Sequence, residues 1–254
     1  MIKNIWFIIG PGGARMDFVA GWLSQTFQNF IKYHWSIDQT NGKSWLSPTQ
    51  NIWRSMLEDR DTSFDQVIKN CENYFKHSTN SVILFPCHGF ELKKKLNKTH
   101  FQKYNFKFIK INYLESDILS MAWEGLIKNN YSFEKTNELF KRVINTDKLV
   151  EDFNNSFNVF HGQEKIISEN LKYINQFKYD IITLDYNEII KNNGSYYIIE
   201  KLNLPSVGIE SHDFYNKSLI QSFSPVSINI NNQEFTKEKF AEIYQLHKEK
   251  FNVD

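Results

Sequence analysis

Residues 5–16 read Ile5-Trp6-Phe7-Ile8-Ile9-Gly10-Pro11-Gly12-Gly13-Ala14-Arg15-Met16. Five consecutive large apolar residues with no polar alternation predict a strand buried on both faces. Gly10, Gly12 and Gly13, three of the ten glycines in the chain, predict a tight turn after it. Beyond the turn, Phe18, Val19, Trp22, Leu23, Phe27, Phe30 and Ile31 recur at helical spacing. The chain therefore passes from strand through glycine turn straight into helix. That order opens an α/β domain, in which a parallel sheet carries helices on its faces.

The alternation continues downstream. Ser81-Val82-Ile83-Leu84-Phe85 reads as a second buried strand, ended by Pro86-Cys87-His88-Gly89; residues 106–112 give a third and 180–184 a fourth. Helices are expected over about 49–58, 63–76, 134–153 and 163–176. Ile118, Leu119, Ala122, Trp123, Leu126 and Ile127 mark another, amphipathic one. Residues 36–50 read as loop, with Asn41-Gly42 as a turn signal and Pro48 as punctuation. After Val207 the pattern changes: an edge strand is expected at 227–230, then a last helix with Phe240, Ile243, Tyr244, His247 and Phe251 on one stripe. The expected architecture is a three-layer α/β domain over residues 1–207, its parallel sheet flanked by helices. Residues 208–254 are expected to form a C-terminal appendage packed on the same domain.

Composition removes several classes of function. Thirty basic residues balance 29 acidic ones for a net charge of +1, which argues against broad nucleic-acid binding. No run approaches the roughly 20 apolar residues of a membrane helix. The run at 5–9 is also shorter than a secretory core and ends in glycine. Two cysteines, Cys71 and Cys87, are too few for a disulfide scaffold and fit a reducing compartment. The expectation is a cytoplasmic protein with neither nucleic acid nor membrane as partner.

The glycine turn is the first candidate site. Glycines between a strand and a helix let backbone N–H groups approach an anion, and the helix N-terminus favours negative charge there. Arg15 is placed to set a guanidinium beside that anion. The ATP-binding pattern G-x-x-x-x-G-K-[ST] is absent, and Arg15 breaks G-x-G-x-x-G. A tight βα turn with no ligand is the plain alternative. His88, just past the second strand, is the second candidate. Strand C-termini share one edge in a parallel sheet, and an imidazole there titrates near neutrality, as a general base requires. No pair among the other histidines has zinc-ligand spacing, and Cys87 reads as a buried packing residue.

Strand, then Gly12-Gly13-Ala14-Arg15, then helix resembles the 5′-phosphosulfate loop of the sulfotransferase family, a P-loop NTPase-like architecture. The resemblance implies 3′-phosphoadenosine 5′-phosphosulfate (PAPS) as donor, with Pro11, Gly12, Gly13, Ala14, Arg15 and Met16 around its 5′ side. The heparan-modifying form of the loop reads K-G-G-T-R, so Pro11 stands in place of its lysine. Cytosolic members carry K-T-H or K-S-H after the corresponding strand, and that histidine is their base; here the stretch is Pro86-Cys87-His88. Their R-D-P-x-D-x-x-x-S segment aligns its second aspartate with Asp117, putting Tyr113 and Met121 at the anion-binding positions and leaving Ser116 and Ser120 as substitutes. A strand, Asp185-Tyr186-Asn187-Glu188 and a helix running to Leu204-Pro205 are similar to a recurrent structural segment of the family, so the resemblance spans about residues 3–207.

What the resemblance implies is transfer of a sulfuryl group from PAPS, without a metal, to a hydroxyl or amine of a small-molecule or glycan acceptor. His88 and Arg15 would be the catalytic residues. Two alternatives stand beside it: a nucleotide- or anion-binding protein of the same fold that has lost the transfer step, and a nucleotide-type kinase.

Overall fold

The computed structural model describes residues 2–32, 34–37, 44–47, 61–75, 77–87, 91–114, 116–121, 123, 162–223, 227–230, 233–239 and 241–242. Along the chain these form β1 (Asn4–Ile9), α1 (Met16–Thr26), β2 (His34–Ile37), β3 (Ser44–Ser47), α2 (Phe64–Tyr74), β4 (Val82–Cys87), α3 (Lys98–Lys103) and β5 (Asn105–Asn112). Helical segments α4 (116–121) and α5 (162–175) follow. Then come β6 (Ile181–Asp185), α6 (Tyr186–Ile189), α7 (Gly194–Leu202), α8 (Ile209–Ser222), β7 (Ser227–Ile230) and β8 (Gln233–Thr236).

Four strands make one all-parallel sheet in the order β4-β1-β5-β6. A parallel bridge between Phe30 and Val82 touches the outer side of β4 through Ile31 N–H to Val82 O at 3.0 Å and Val82 N–H to Asn29 O at 2.8 Å. The chain runs from β1 outward to β4, crosses to the far side of β1 for β5, then continues outward to β6. Order therefore reverses around β1, and in such sheets ligands bind outside the strand C-termini at that reversal. The register fixes which residues those are: Ile9 lies beside Cys87 on one side and Lys110 on the other, and Asn112 beside Asp185.

Both faces of the sheet are covered. On one, Phe7 packs between Phe85 and Phe108 at 5.4 and 5.5 Å, and Phe64 of α2 and Phe101 of α3 close over them. Phe101 in turn stacks on Phe177, just after α5, at 3.9 Å. On the other face, Trp6 meets Phe30 edge-on, and the Lys107 ammonium lies 4.0 Å over the Trp6 ring. Lys107 also donates to the Leu202 carbonyl at the end of α7, where a helix dipole favours a cation. Next to it α1 and α8 join through Tyr215, whose ring lies 5.0 Å from both Phe18 and Trp22. The flanking helices follow above all from β1 and β4, which are too apolar to leave either face in water.

Two readings change. The stretch read as loop at 36–50 holds the end of β2 and all of β3, paired antiparallel, because short strands of mixed polarity carry little periodic signal. The stretch after Val207 begins with helix α8, which sequence periodicity did not show. Its buried stripe is His212, Tyr215, Ser218, Leu219 and Ser222, so polar residues occupy positions where apolar ones would have announced it. The edge strand at 227–230 is present and pairs with β8. The helices expected at 49–58 and 134–153, the residues beyond 242 of the last helix, and His88 lie outside the described residues. Among the described residues no helix is long and apolar enough to cross a membrane, and no group of three or more His, Cys, Asp and Glu side chains is placed to hold a metal ion.

Candidate functional site

The glycine turn sits at the reversal point of the sheet. Gly10 N–H bonds to Cys87 O at 3.2 Å, prolonging the β1–β4 ladder by one step. Pro11 to Ala14 then form a turn closed by Ala14 N–H to Pro11 O at 3.1 Å, with Gly13 at φ +84° in its third position. A positive φ there is what a type II turn demands. Glycine is also required sterically, since a Cβ on Gly13 would come within 2.8 Å of the Met121 carbonyl oxygen. Arg15 follows in the left-handed region, φ 63° and ψ 20°, as the N-cap of α1, and its carbonyl accepts from Val19 N–H at 2.9 Å. Non-glycine residues adopt that conformation at a cost and cluster at turns under tight constraint.

A second element lies over this turn. The first turn of α5 contributes Gln163, whose Oε1 accepts the Gly12 N–H at 2.7 Å. Its neighbour Glu164 accepts from the Tyr113 hydroxyl at 2.7 Å. Burial, and then the Glu164 carboxylate, hold the Tyr113 phenol well above its ordinary pKa, so it stays a donor. Thus α5 bridges the segments that leave β1 and β5, the two strands flanking the reversal. Asp117, which the family alignment placed on the motif aspartate, is buried. Its Oδ2 accepts from Leu114 N–H at 2.7 Å and Asn187 Nδ2 at 3.0 Å, which starts α4 and ties it to α6.

Arg15 points its guanidinium at the far end of α8. Nη1 donates to the Ser222 carbonyl at 2.7 Å and to Ser222 Oγ at 3.1 Å, and the guanidinium carbon lies 4.5 Å over the Phe223 ring. A buried cation on a helix C-terminus is favoured by the dipole and by charge-assisted hydrogen bonds. The side chain that sequence reasoning set beside an anion therefore links α1 to α8. The backbone of the turn and its side chain face different tasks.

Of the remaining sequence-derived residues, Pro11, Ala14 and Met16 are buried and Gly12 and Gly13 half-exposed. Ser116 is exposed at the start of α4. Ser120 accepts a hydrogen bond from Lys237 Nζ at 2.8 Å. Lys237 escaped sequence reasoning because it belongs to a segment 117 positions away with no motif around it. Its ammonium brings a cation to the helix that follows β5, next to Met121, which walls the glycine turn. Cys87 is buried and its Sγ donates to Phe85 O at 3.3 Å, in keeping with packing. Gln163 was missed as well; only its position one residue after Gly162, at a helix start, hints at it.

Set against family models, curated proteins and solved structures, the chain has no match in any of the three comparisons.

Proposed function

We propose that the chain is a sulfotransferase-like enzyme of P-loop-like architecture that uses the Pro11–Met16 turn to receive the phosphosulfate end of PAPS. The observation that carries this reading is positional. A turn with glycine at φ +84° leads from an interior parallel strand into an 11-residue helix, at the C-terminal edge where strand order reverses. Backbone N–H groups and a helix N-terminus at such a place favour an oxyanion. Lys237 on Ser120 supplies a cation near the helix that, by resemblance, would receive the donor's 3′-phosphate. In the transfer, His88 takes the proton of the acceptor hydroxyl or amine as its lone pair attacks sulfur. The bond from sulfur to the bridging oxygen breaks, and adenosine 3′,5′-bisphosphate leaves with the electron pair.

A second reading has its own observations. Gln163 occupies the Gly12 amide and Arg15 is committed to Ser222, which favours an anion-binding protein of the same fold without transfer activity. A nucleotide-type kinase is the weakest reading, since no Gly-Lys-[ST] accompanies the turn. Thermal-shift measurements separate the three. Adenosine 3′,5′-bisphosphate at a hundredfold excess over its Kd should stabilise the protein by about 2.7 kcal/mol, and AMP by less. ATP with magnesium should give the largest shift only for a kinase. Transfer of label from [35S]PAPS to a panel of phenols, amines and glycans then decides between enzyme and binder. No shift with any nucleotide refutes all three.

A further inference from the structure

We propose that Gln163 is a built-in competitor at the glycine turn: its carboxamide oxygen takes the Gly12 N–H, and an oxyanion must displace it to bind. The proposal rests on the oxyanion reading of the turn and adds how access to it is controlled.

Chemistry comes first. The amide oxygen of Gln163 is a neutral acceptor 2.7 Å from Gly12 N, which is the bond an oxygen of a phosphate or sulfate would make with that amide. The contact joins residues 151 positions apart, so local chain geometry does not impose it. The space is equally specific. Among the described residues, a Cβ built on Gly12 would meet Gln163 alone, Oε1 at 3.4 Å and Nε2 at 3.9 Å. On the Gly13 side the wall is the Met121 backbone, which cannot yield. The turn is therefore closed from one direction by a fixed wall and from the other by the tip of a flexible side chain.

The way α5 is held lets that tip move. Glu164 holds the start of the helix to Tyr113, and the rest of its grip on the fold lies a turn or more beyond Gln163. Ile167 and Ile174 are buried, Asn170 Oδ1 accepts Leu92 N–H at 2.7 Å, and the Tyr173 hydroxyl donates to Leu96 O at 2.6 Å. Gly162, just before Gln163, has no described residue within 4 Å of where a Cβ would stand. Rotation about the side-chain bonds of Gln163 frees the amide while Glu164 keeps the helix start on Tyr113. A single neutral hydrogen bond lost to the competitor reduces the apparent affinity for the anion by about three- to tenfold.

The test is calorimetric titration of adenosine 3′,5′-bisphosphate, and separately of inorganic sulfate, into the full chain and three variants. Gln163→Ala should bind about three- to tenfold more tightly than the wild type. Gln163→Met keeps the stem and removes the acceptor, so it should do the same if Gln163→Ala melts early. Gln163→Glu sets a carboxylate on the amide and should bind at least about tenfold more weakly, recovering as the pH falls into the carboxylate range. Equal affinities in wild type, Gln163→Ala and Gln163→Met would overturn the competitor role, and weaker binding in the last two would make Gln163 a ligand contact instead. If wild type and all variants fail to bind either anion, the oxyanion reading itself falls, a result distinct from wild-type binding that the substitutions leave unmoved.

Discussion

Arg15 Nη1 and the Ser222 carbonyl oxygen lie 2.7 Å apart, so the residue that caps the start of α1 also closes the end of α8. The contact links the turn after β1 to a helix that sequence periodicity did not reveal. It explains how residues 209–222 come to be held by the same turn that anchors the candidate site. Replacing the guanidinium should loosen both.

Arg15→Met is accordingly expected to destabilise the fold by about 2–3 kcal/mol, the range for a lost charge-assisted hydrogen bond that leaves a buried acceptor behind. For a chain of this size that is a fall of roughly 4–12 °C in Tm. Arg15→Lys should recover only part of it, because an ammonium cannot span Ser222 O, Ser222 Oγ and the Phe223 face as the planar fork does. Melting curves check this, and an unchanged Tm in Arg15→Met would show that the link carries no stability.

Neighbouring glycines in the turn should respond in opposite ways. Gly13→Ala forces a Cβ against the Met121 carbonyl at a φ that L-residues avoid, and should cost about 2–4 kcal/mol. Among the described residues, Gly12→Ala meets only the Gln163 side chain, and it should fold nearly as well as the wild type. Denaturant titration of the two variants gives the comparison; similar losses in both would mean that Met121 does not form a rigid wall.

Much of this framework was legible in the residues, and the exceptions share a cause. β1 and β4 announce themselves because strands buried on two faces must be apolar nearly throughout, and β5 and β6 because their apolar runs survive among half-buried positions. The glycine turn was legible because Gly13 needs a backbone angle that few residues accept. What sequence could not show is pairing at long range. Gln163 on Gly12, Lys237 on Ser120 and Arg15 on Ser222 join positions 151, 117 and 207 residues apart through polar atoms, and such contacts leave no periodic trace. Helix α8 stayed hidden for a related reason: His212, Ser218 and Ser222 face the core because they have partners or small volumes there, which hydrophobic patterning cannot register.

His212 and His100 carry a pH dependence of stability. Burial is the main cause that lowers both from their ordinary value; Asp213 opposes it at His212, and at His100 Asp65 opposes it while Lys103 adds to it. His212 Nδ1 bonds to the buried Ser195 hydroxyl at 2.8 Å, and its ring stacks on Tyr196 at 3.5 Å. The folded protein therefore prefers neutral imidazole, and the unfolded chain takes up protons first as the pH falls below about 6.5. Their contribution is complete above that pH and declines as acidity approaches the folded values. Melting temperature should drop between pH 7.5 and 5.5, and His212→Gln should flatten that slope while lowering Tm at pH 7.5. A slope unaffected by either His212→Gln or His100→Gln would assign the acid sensitivity to other groups.

The proposed transfer makes His88, the residue that follows Cys87, its base. Cys87 is register-paired with Ile9, and its carbonyl accepts the Gly10 N–H, so β4 delivers the chain to the same edge as the glycine turn. In the proposed transfer, a base at residue 88 would act on the acceptor's proton and leave the donor's phosphates to the turn. His88→Ala should therefore lower turnover by about 10²–10⁴ with affinity for adenosine 3′,5′-bisphosphate kept within about twofold. The pH–rate profile should lose its acidic limb in the same variant, since protonation of the imidazole would no longer be the inhibiting event. Equal turnover in His88→Ala and wild type would take the proton-transfer role away from this histidine. A parallel loss of nucleotide binding and turnover would make it a donor contact instead. Gln163→Ala provides the contrast, as its predicted effect is on affinity and leaves the limb of the profile where it was.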